Sequence, residues 1–307
     1  MKKAWVAIRY RILRCGSQAM GLLPHWFLYG PLRMTLYFFI NKVTGYRTRV
    51  VRENLRNSFP EKSAAELKTI ECEFYRHLAE LFVDTIDLTS ISHRALLRRV
   101  TITNLAEHEA RVAGQDWIAA MSHFGSWEYF SAYQLCTAAQ IVGVYHPLEN
   151  PAFDQFFRWM RSRTGMKAVS SRMLLRYIVE HRKVGDGNIA VGMIADQLPL
   201  PFGSHSGFWF LHQPTVFYEG METVARRFAM PVYFLHLRKV GVAKYEGRFE
   251  PVWDGVSPVE EYQITARYVC LLEDQIREQP AYWLWSHRRW KRGPNPGVPV
   301  TDPRKWQ

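Results

Sequence analysis

The chain has little cysteine. Cys15, Cys72, Cys136 and Cys270 are so scattered that no CxxC or other zinc spacing occurs, and nothing suggests a disulfide framework, so a reducing compartment is the simpler reading. Also lacking is the run of roughly 20 apolar residues that a clean membrane span needs. The richest stretch, His25 to Ile40, falls short and is interrupted by Pro31 and Arg33, while Arg9, Arg11 and Arg14 break any signal-peptide core. A nucleophile elbow is missing too: "FGSHSGF" has His205 where a GxSxG serine would stand, and no HExxH occurs. No helix-turn-helix, zinc or RNP pattern organises a nucleic-acid surface. No internal repeat, low-complexity tract or linker divides the chain.

What is there describes a globular protein. With 307 residues, 48% of them apolar and 14% aromatic, the chain can bury a sizeable core as one large domain or two. Its 40 Lys and Arg against 28 Asp and Glu give +12, a field that attracts nucleic acid, anionic lipid or an acidic protein. The N-terminus narrows that choice. "MKKAWVAIRYRILR" carries five basic residues and no acidic one, an aromatic-rich apolar stretch follows, and Lys42, Arg47, Arg49 and Arg52 lie beyond. Basic flanks around a broken apolar segment predict a monotopic or re-entrant insertion with both ends on the cytoplasmic face; the bland alternative is a pair of core helices with a solvated basic flank. Residues 1–45 are thus expected to be a membrane-associating helical segment, and 46–307 the catalytic domain.

That domain reads as α/β. Leu67, Ile70, Phe74, Leu78, Leu81, Phe82, Thr85 and Ile86 form a helical stripe behind the start signals of "SFPEKSAAEL". "DWIAAM", "QIVGVY", "MKAVS" and "NIAVGMIA" read as strands alternating with helices at "PAFDQFFRWMRSRTG" and "RMLLRYIVEHRK". "TVFYEGMETVARRFAM" reads as a helix, "PVYFLHLRKV" and "KYEGRFEPVW" as strands, and a last helix runs from about Val259 to Glu278. The alternation predicts a largely parallel mixed sheet flanked by helices.

In such sheets ligands gather at the carboxyl ends of strands, where "MSHFGSWEYF" lies. Gly125 and Ser126 mark a strand-to-helix turn, Ser126 is a candidate N-cap, and Glu128 falls in the first helical turn, free to face His123. A neutral imidazole accepts a hydroxyl proton at one nitrogen when a carboxylate orients the other, so His123 and Glu128 are candidates for a dyad. As a bare spacing, H-x4-E equally suits a satisfied structural histidine. Asp196, at the end of "NIAVGMIA", would be costly if buried unpaired; pairing with an arginine that orders the site is one expectation, and an ordinary helix cap or loop turn is the bland alternative. Trp283, Trp285 and Trp290, interleaved with the basic residues of "SHRRWKR", predict a membrane-surface patch.

"HFGSWE" resembles the H-x4-D/E signature of glycerolipid acyltransferases, and more closely that of the lipid A biosynthesis lauroyl and myristoyl acyltransferases. The resemblance runs from "VVRENLRNSFPEKS" to "WLWSHRRWKR". It implies functional positions at Arg161, Arg163, Arg172, Asp196 and Gln197, with the arginines binding phosphates of the acceptor or of the donor's phosphopantetheine. "GSHSGFWFLHQPTVFYEG" lacks the E-G-T-R phosphate motif of the broader glycerolipid enzymes, which leaves the acceptor open. The family's donor is a thioester on acyl carrier protein or coenzyme A, and its acceptor is a lipid hydroxyl, most readily that of a lipid A precursor. The resemblance further implies His123 as base, backbone N–H groups near Gly125 or a nearby cation at the oxyanion, no metal or cofactor, and a place at the cytoplasmic face of a bacterial inner membrane. The runner-up acceptors are a lysophospholipid or an aminolipid, with lipid or thioester hydrolysis behind them. Nucleic acid is not an expected partner.

Overall fold

The computed structural model describes residues 2–185, 187–199 and 205–306; Phe202 to Ser204 of the "FGSHSGF" stretch lie outside them. The chain opens with α1 (Lys2–Gly21). A broken helical run follows: α2 (His25–Phe27), a π-helical turn Leu28–Leu32, α3 (Arg33–Tyr37) and a second π-helical turn Phe38–Val43. Pro31 sits inside the first π turn, where its missing N–H and its ring disturb regular α pairing. No helix among the described residues is long and apolar enough to cross a membrane. Leu28 and Tyr29 are buried in this run, packed with Val83 and Ala243.

Two longer helices come next, α4 (Thr48–Ser58) and α5 (Ala64–Asp87). The start of α5 is fixed by a capping box, in which the Ser63 hydroxyl accepts from the Glu66 N–H and the Glu66 carboxylate accepts from the Ser63 N–H. Short α6 (His93–Leu96), strand β1 (Val100–Ile102) and α7 (Leu105–Val112) lead to the first central strand, β2 (Trp117–Met121). All five residues of β2 are buried, as a strand covered on both faces requires.

After β2 the "WEYFSAYQL" segment departs from the expected α-helix: Trp127–Leu135 is a 3₁₀ helix, and the Ser126 side chain makes no cap hydrogen bond. Five consecutive residues, Tyr129 to Tyr133, are buried there, so the segment has no solvent face to give it amphipathic α periodicity. Then come β3 (Gln140–Tyr145), α8 (Pro151–Ser162), β4 (Lys167–Ser170), α9 (Leu174–Val184) and β5 (Ile189–Ile194). β6 (Gly207–Phe210) and β7 (Gln213–Val216) pair antiparallel, so the helix expected from "TVFYEG" onward begins only at α10 (Gly220–Phe228). β8 (Val232–Gly241), β9 (Lys244–Trp253), α11 (Gln263–Glu278) and β10 (Val300–Thr301) complete the chain's main elements.

The large sheet has the order β1-β9-β8-β2-β5-β3-β4, and the small one β10-β6-β7. Strands β4, β3, β5, β2 and β8 run parallel, while β9 returns antiparallel beside β8. The expected parallel-rich mixed sheet flanked by helices is therefore present. Its central pair, β2 and β5, is in register from Trp117 opposite Ala190 to Met121 opposite Ile194.

The "WLWSHRRW" segment is not the expected membrane-surface patch. Trp283, Trp285 and Arg289 are buried, and Trp290 packs against the same core. Each indole N–H has an internal acceptor: Asp196 for Trp283, the Pro280 carbonyl for Trp285 and the Thr215 hydroxyl for Trp290. Satisfied indoles lose their reason to sit at a wet boundary.

Candidate active site

Register brings His123 and Asp196 together. Each lies two residues beyond the Met121–Ile194 pair that ends the β2–β5 ladder, so both project from the carboxyl edge of adjacent parallel strands. Asp196 Oδ1 meets His123 Nδ1 at 2.7 Å, and Oδ2 accepts from the His123 backbone N–H at 3.0 Å and from the Trp283 indole at 2.7 Å. Burial opposes the carboxylate's charge, but His123 and the Trp283 donor outweigh it and hold Asp196 below its ordinary pKa. An ionised Asp196 assigns the His123 proton to Nδ1 and leaves the Nε2 lone pair free to accept. The Gln197 amide nitrogen, 3.2 Å away, donates to that lone pair. The expected pairing of Asp196 with an arginine is thus corrected: its oxygens already hold three donors from His123 and Trp283.

Glu128 does not orient His123. Both of its oxygens are taken by Arg161, with Nε to Oε2 at 2.8 Å and Nη2 to Oε1 at 2.5 Å. The 3₁₀ turn and the last turn of α8 face each other across the sheet edge, and the bidentate fork fixes both. Burial opposes the guanidinium's charge, but Glu128 more than offsets it and raises the Arg161 pKa. Trp127 stands edge-on to His123, with ring centroids 4.9 Å apart. Beyond it, Glu128 and Arg161 line a cavity of about 40 Å³ whose floor includes Gly143 and Gly192, paired across β3 and β5. A Cβ on Gly192 would stand 2.7 Å from Phe130, so glycine lets that ring lie directly against the strand.

Gly125 also has to be glycine. Its φ is +57°, and a Cβ there would meet the Tyr245 ring at 2.7 Å. Its N–H, expected near an oxyanion, instead donates to the Tyr282 carbonyl at 2.9 Å. Arg163 is turned away from this edge, donating to the Leu88 and Ile91 carbonyls behind α5. Arg172 is exposed in the turn between β4 and α9, with no hydrogen-bond or ion-pair partner among the described residues. The structure therefore gathers His123, Asp196, Gln197, Glu128 and Arg161 and leaves Arg163 and Arg172 outside. Trp283 joins the site unforeseen, because its place beside basic residues pointed to a membrane boundary instead. Among the described residues no group of three His, Cys, Asp or Glu side chains is placed to hold a metal ion.

The sequence model of bacterial lipid A biosynthesis acyltransferases matches residues 14–292, a span that contains every one of these groups. The chain belongs to this family. It is 25% identical over 256 residues to the lipid A biosynthesis palmitoleoyltransferase of Escherichia coli (strain K12), covering 81% of this chain and 80% of the relative. It is 26% identical over 257 residues to the lipid A biosynthesis lauroyltransferase of the same strain, covering 82% and 81%. A Shigella flexneri lipid A biosynthesis acyltransferase is similar to the same extent as the first, at 25% over 256 residues. The protein is an acyltransferase, and its strand-edge cluster sets the His123 imidazole against the Asp196 carboxylate with the Glu128–Arg161 ion pair nearby.

Proposed function

We propose that this acyltransferase moves a fatty acyl group from a thioester, on acyl carrier protein or coenzyme A, to a hydroxyl of a lipid A precursor at a membrane surface. The observation that carries the chemistry is the 2.7 Å contact between His123 Nδ1 and Asp196. With Nδ1–H held by an ionised carboxylate, Nε2 takes the acceptor's hydroxyl proton as that oxygen replaces the Gln197 amide beside it. The oxygen attacks the thioester carbonyl, the tetrahedral intermediate collapses with loss of the C–S bond, and the imidazolium returns its proton to the departing sulfur. Asp196 stabilises the imidazolium in between. Arg161, aimed by Glu128, supplies positive charge for the oxyanion, so Glu128 serves catalysis through the arginine.

The names of the relatives support a lipid A precursor as acceptor. The +12 charge supports an acidic carrier protein as the body that bears the thioester. The exposed Trp5, Ile8 and Ile12 on one face of α1, with Trp26, Phe38 and Phe39 beyond, support membrane docking through residues 1–45 at the cytoplasmic face of a bacterial inner membrane. Purified protein supplied with acyl carrier thioesters and a lipid A precursor tests the reading: the product should carry one added ester-linked chain. A thioester that turns over only to free fatty acid would overturn it.

A further inference from the structure

The hairpin between β8 and β9 ends in an unusual tip. Val240 and Val242 are 47% and 42% exposed, on either side of Gly241, while Ala243 between them and β9 is fully buried. Ala243 has φ +49°, a conformation that L side chains rarely adopt. Its Cβ packs with Leu28, Tyr29 and Val83, so contact with the N-terminal run and α5 sustains the strained turn. Glu80 of α5 completes the clamp. It accepts from the Ala243 N–H at 2.8 Å, from Lys239 at the end of β8 and from Arg33 of α3 at 3.2 Å. A buried carboxylate thus ties the hairpin tip to the N-terminal helices as one body.

We propose that the β8–β9 tip, with Val240 and Val242 at its crest, is a second membrane-inserting element that enters an anionic bilayer beside the N-terminal helices. The proposal rests on the reading that residues 1–45 dock the protein on a membrane. The two valines are exposed together on a tip that is held by a built set of contacts and stands next to Leu28, two residues from Trp26, which is 69% exposed. Charge favours lipid as the occupant. The first 52 residues contain no Asp or Glu, and exposed Lys244 lies at the tip, while Arg238 behind it is paired with Glu278. Cations around an apolar crest suit anionic headgroups around an acyl core.

Partitioning onto phosphatidylcholine vesicles with a minority of phosphatidylglycerol tests this with the full chain. Val240→Asp/Val242→Asp should weaken binding roughly tenfold or more, and Val240→Ser/Val242→Ser, which adds no charge, roughly threefold. Val256→Asp is the control: that valine is 82% exposed, but it follows the far end of β9 and should leave binding within about twofold of the unaltered protein. Tip variants that bind within about twofold of the unaltered protein overturn the proposal and leave the membrane reading standing. An unaltered protein that ignores the vesicles overturns that reading, and the proposal with it. Both valines are exposed, so melting curves of the variants should overlay that of the parent.

Discussion

Glu128 and Arg161 are joined by two hydrogen bonds across a buried edge of the sheet, with neither side chain more than a fifth exposed. Removing one partner leaves the other's charge stranded. Glu128→Ala should lower stability by about 3 kcal/mol or more and abolish transfer, whereas Glu128→Gln should fold better and still lose most activity because the guanidinium is no longer aimed. Arg161→Lys should not rescue, since an ammonium cannot reproduce the fork. Thermal melts beside transfer assays check this; a fully active lysine variant would show that the fork is not needed to aim the charge.

His123→Ala should reduce turnover by roughly 10²-fold to 10⁴-fold without loss of fold. Asp196→Asn should be comparably severe, because an amide neither fixes the proton on Nδ1 nor offsets the charge that forms on the ring. An asparagine variant with near-normal turnover and an unchanged melting temperature would show that Asp196 is not the partner that matters.

Asp84 offers a pH prediction away from the chemistry. It accepts from Tyr29 at 2.8 Å and Tyr129 at 2.9 Å, and burial, followed by the charge of Glu80, pushes its carboxyl up to about 7. An acid held above its ordinary value binds its proton more tightly when folded. Stability should therefore fall as pH rises from the ordinary aspartate value of 3.8 towards about 7, then level off. Asp84→Asn keeps an acceptor without the ionisation, so at about pH 8 it should melt no lower than the parent and gain on the order of 1 kcal/mol. Melts across this range decide; a variant that is less stable at every pH would mean the charge is wanted.

Membrane docking is better tested by surface substitution than by truncation. Cutting away residues 1–45 would also remove Leu28 and Tyr29, leaving Val83, Asp84 and Asp87 without their cover. Trp5→Ser/Ile8→Ser/Ile12→Ser touches only exposed positions. It should release most of the protein from vesicles at unchanged melting temperature, and high salt alone should release only a part, because apolar burial survives screening. Full retention of the triple variant would count against docking through α1.

If the thioester arrives on acyl carrier protein, initial rates at low donor concentration should fall as ionic strength rises, through slower encounter. Saturating turnover should change little. Salt-independent rates, or exclusive use of acyl-coenzyme A, would argue for another carrier.

The strands and the place of the site were legible because apolar runs and strand ends leave local marks: "DWIAAM" and "NIAVGMIA" are β2 and β5, and His123 lies at their shared edge. Partners were not legible. Glu128 is near His123 in sequence, but Asp196 is near it in space, and only the order of β2 beside β5 tells the two apart. Trp283 and Trp285 misled for a similar reason, since a tryptophan beside basic residues reads as boundary sequence until its N–H is seen to end on an internal oxygen. The 3₁₀ segment from Trp127 was hidden because burial on all sides erases the periodicity that distinguishes helix types.

The two-residue overhang of His123 and Asp196 beyond their last paired residues makes the site a matter of counting. Side chains alternate along a strand, so inserting one residue between Ile194 and Asp196 would swing the carboxylate to the opposite face and strip the imidazole of its partner. An insertion in the turn between β4 and α9 leaves that phase untouched. Tolerance to length change in this chain should therefore follow parity, strict within two residues of the β2 and β5 ends and loose where no strand sets the phase.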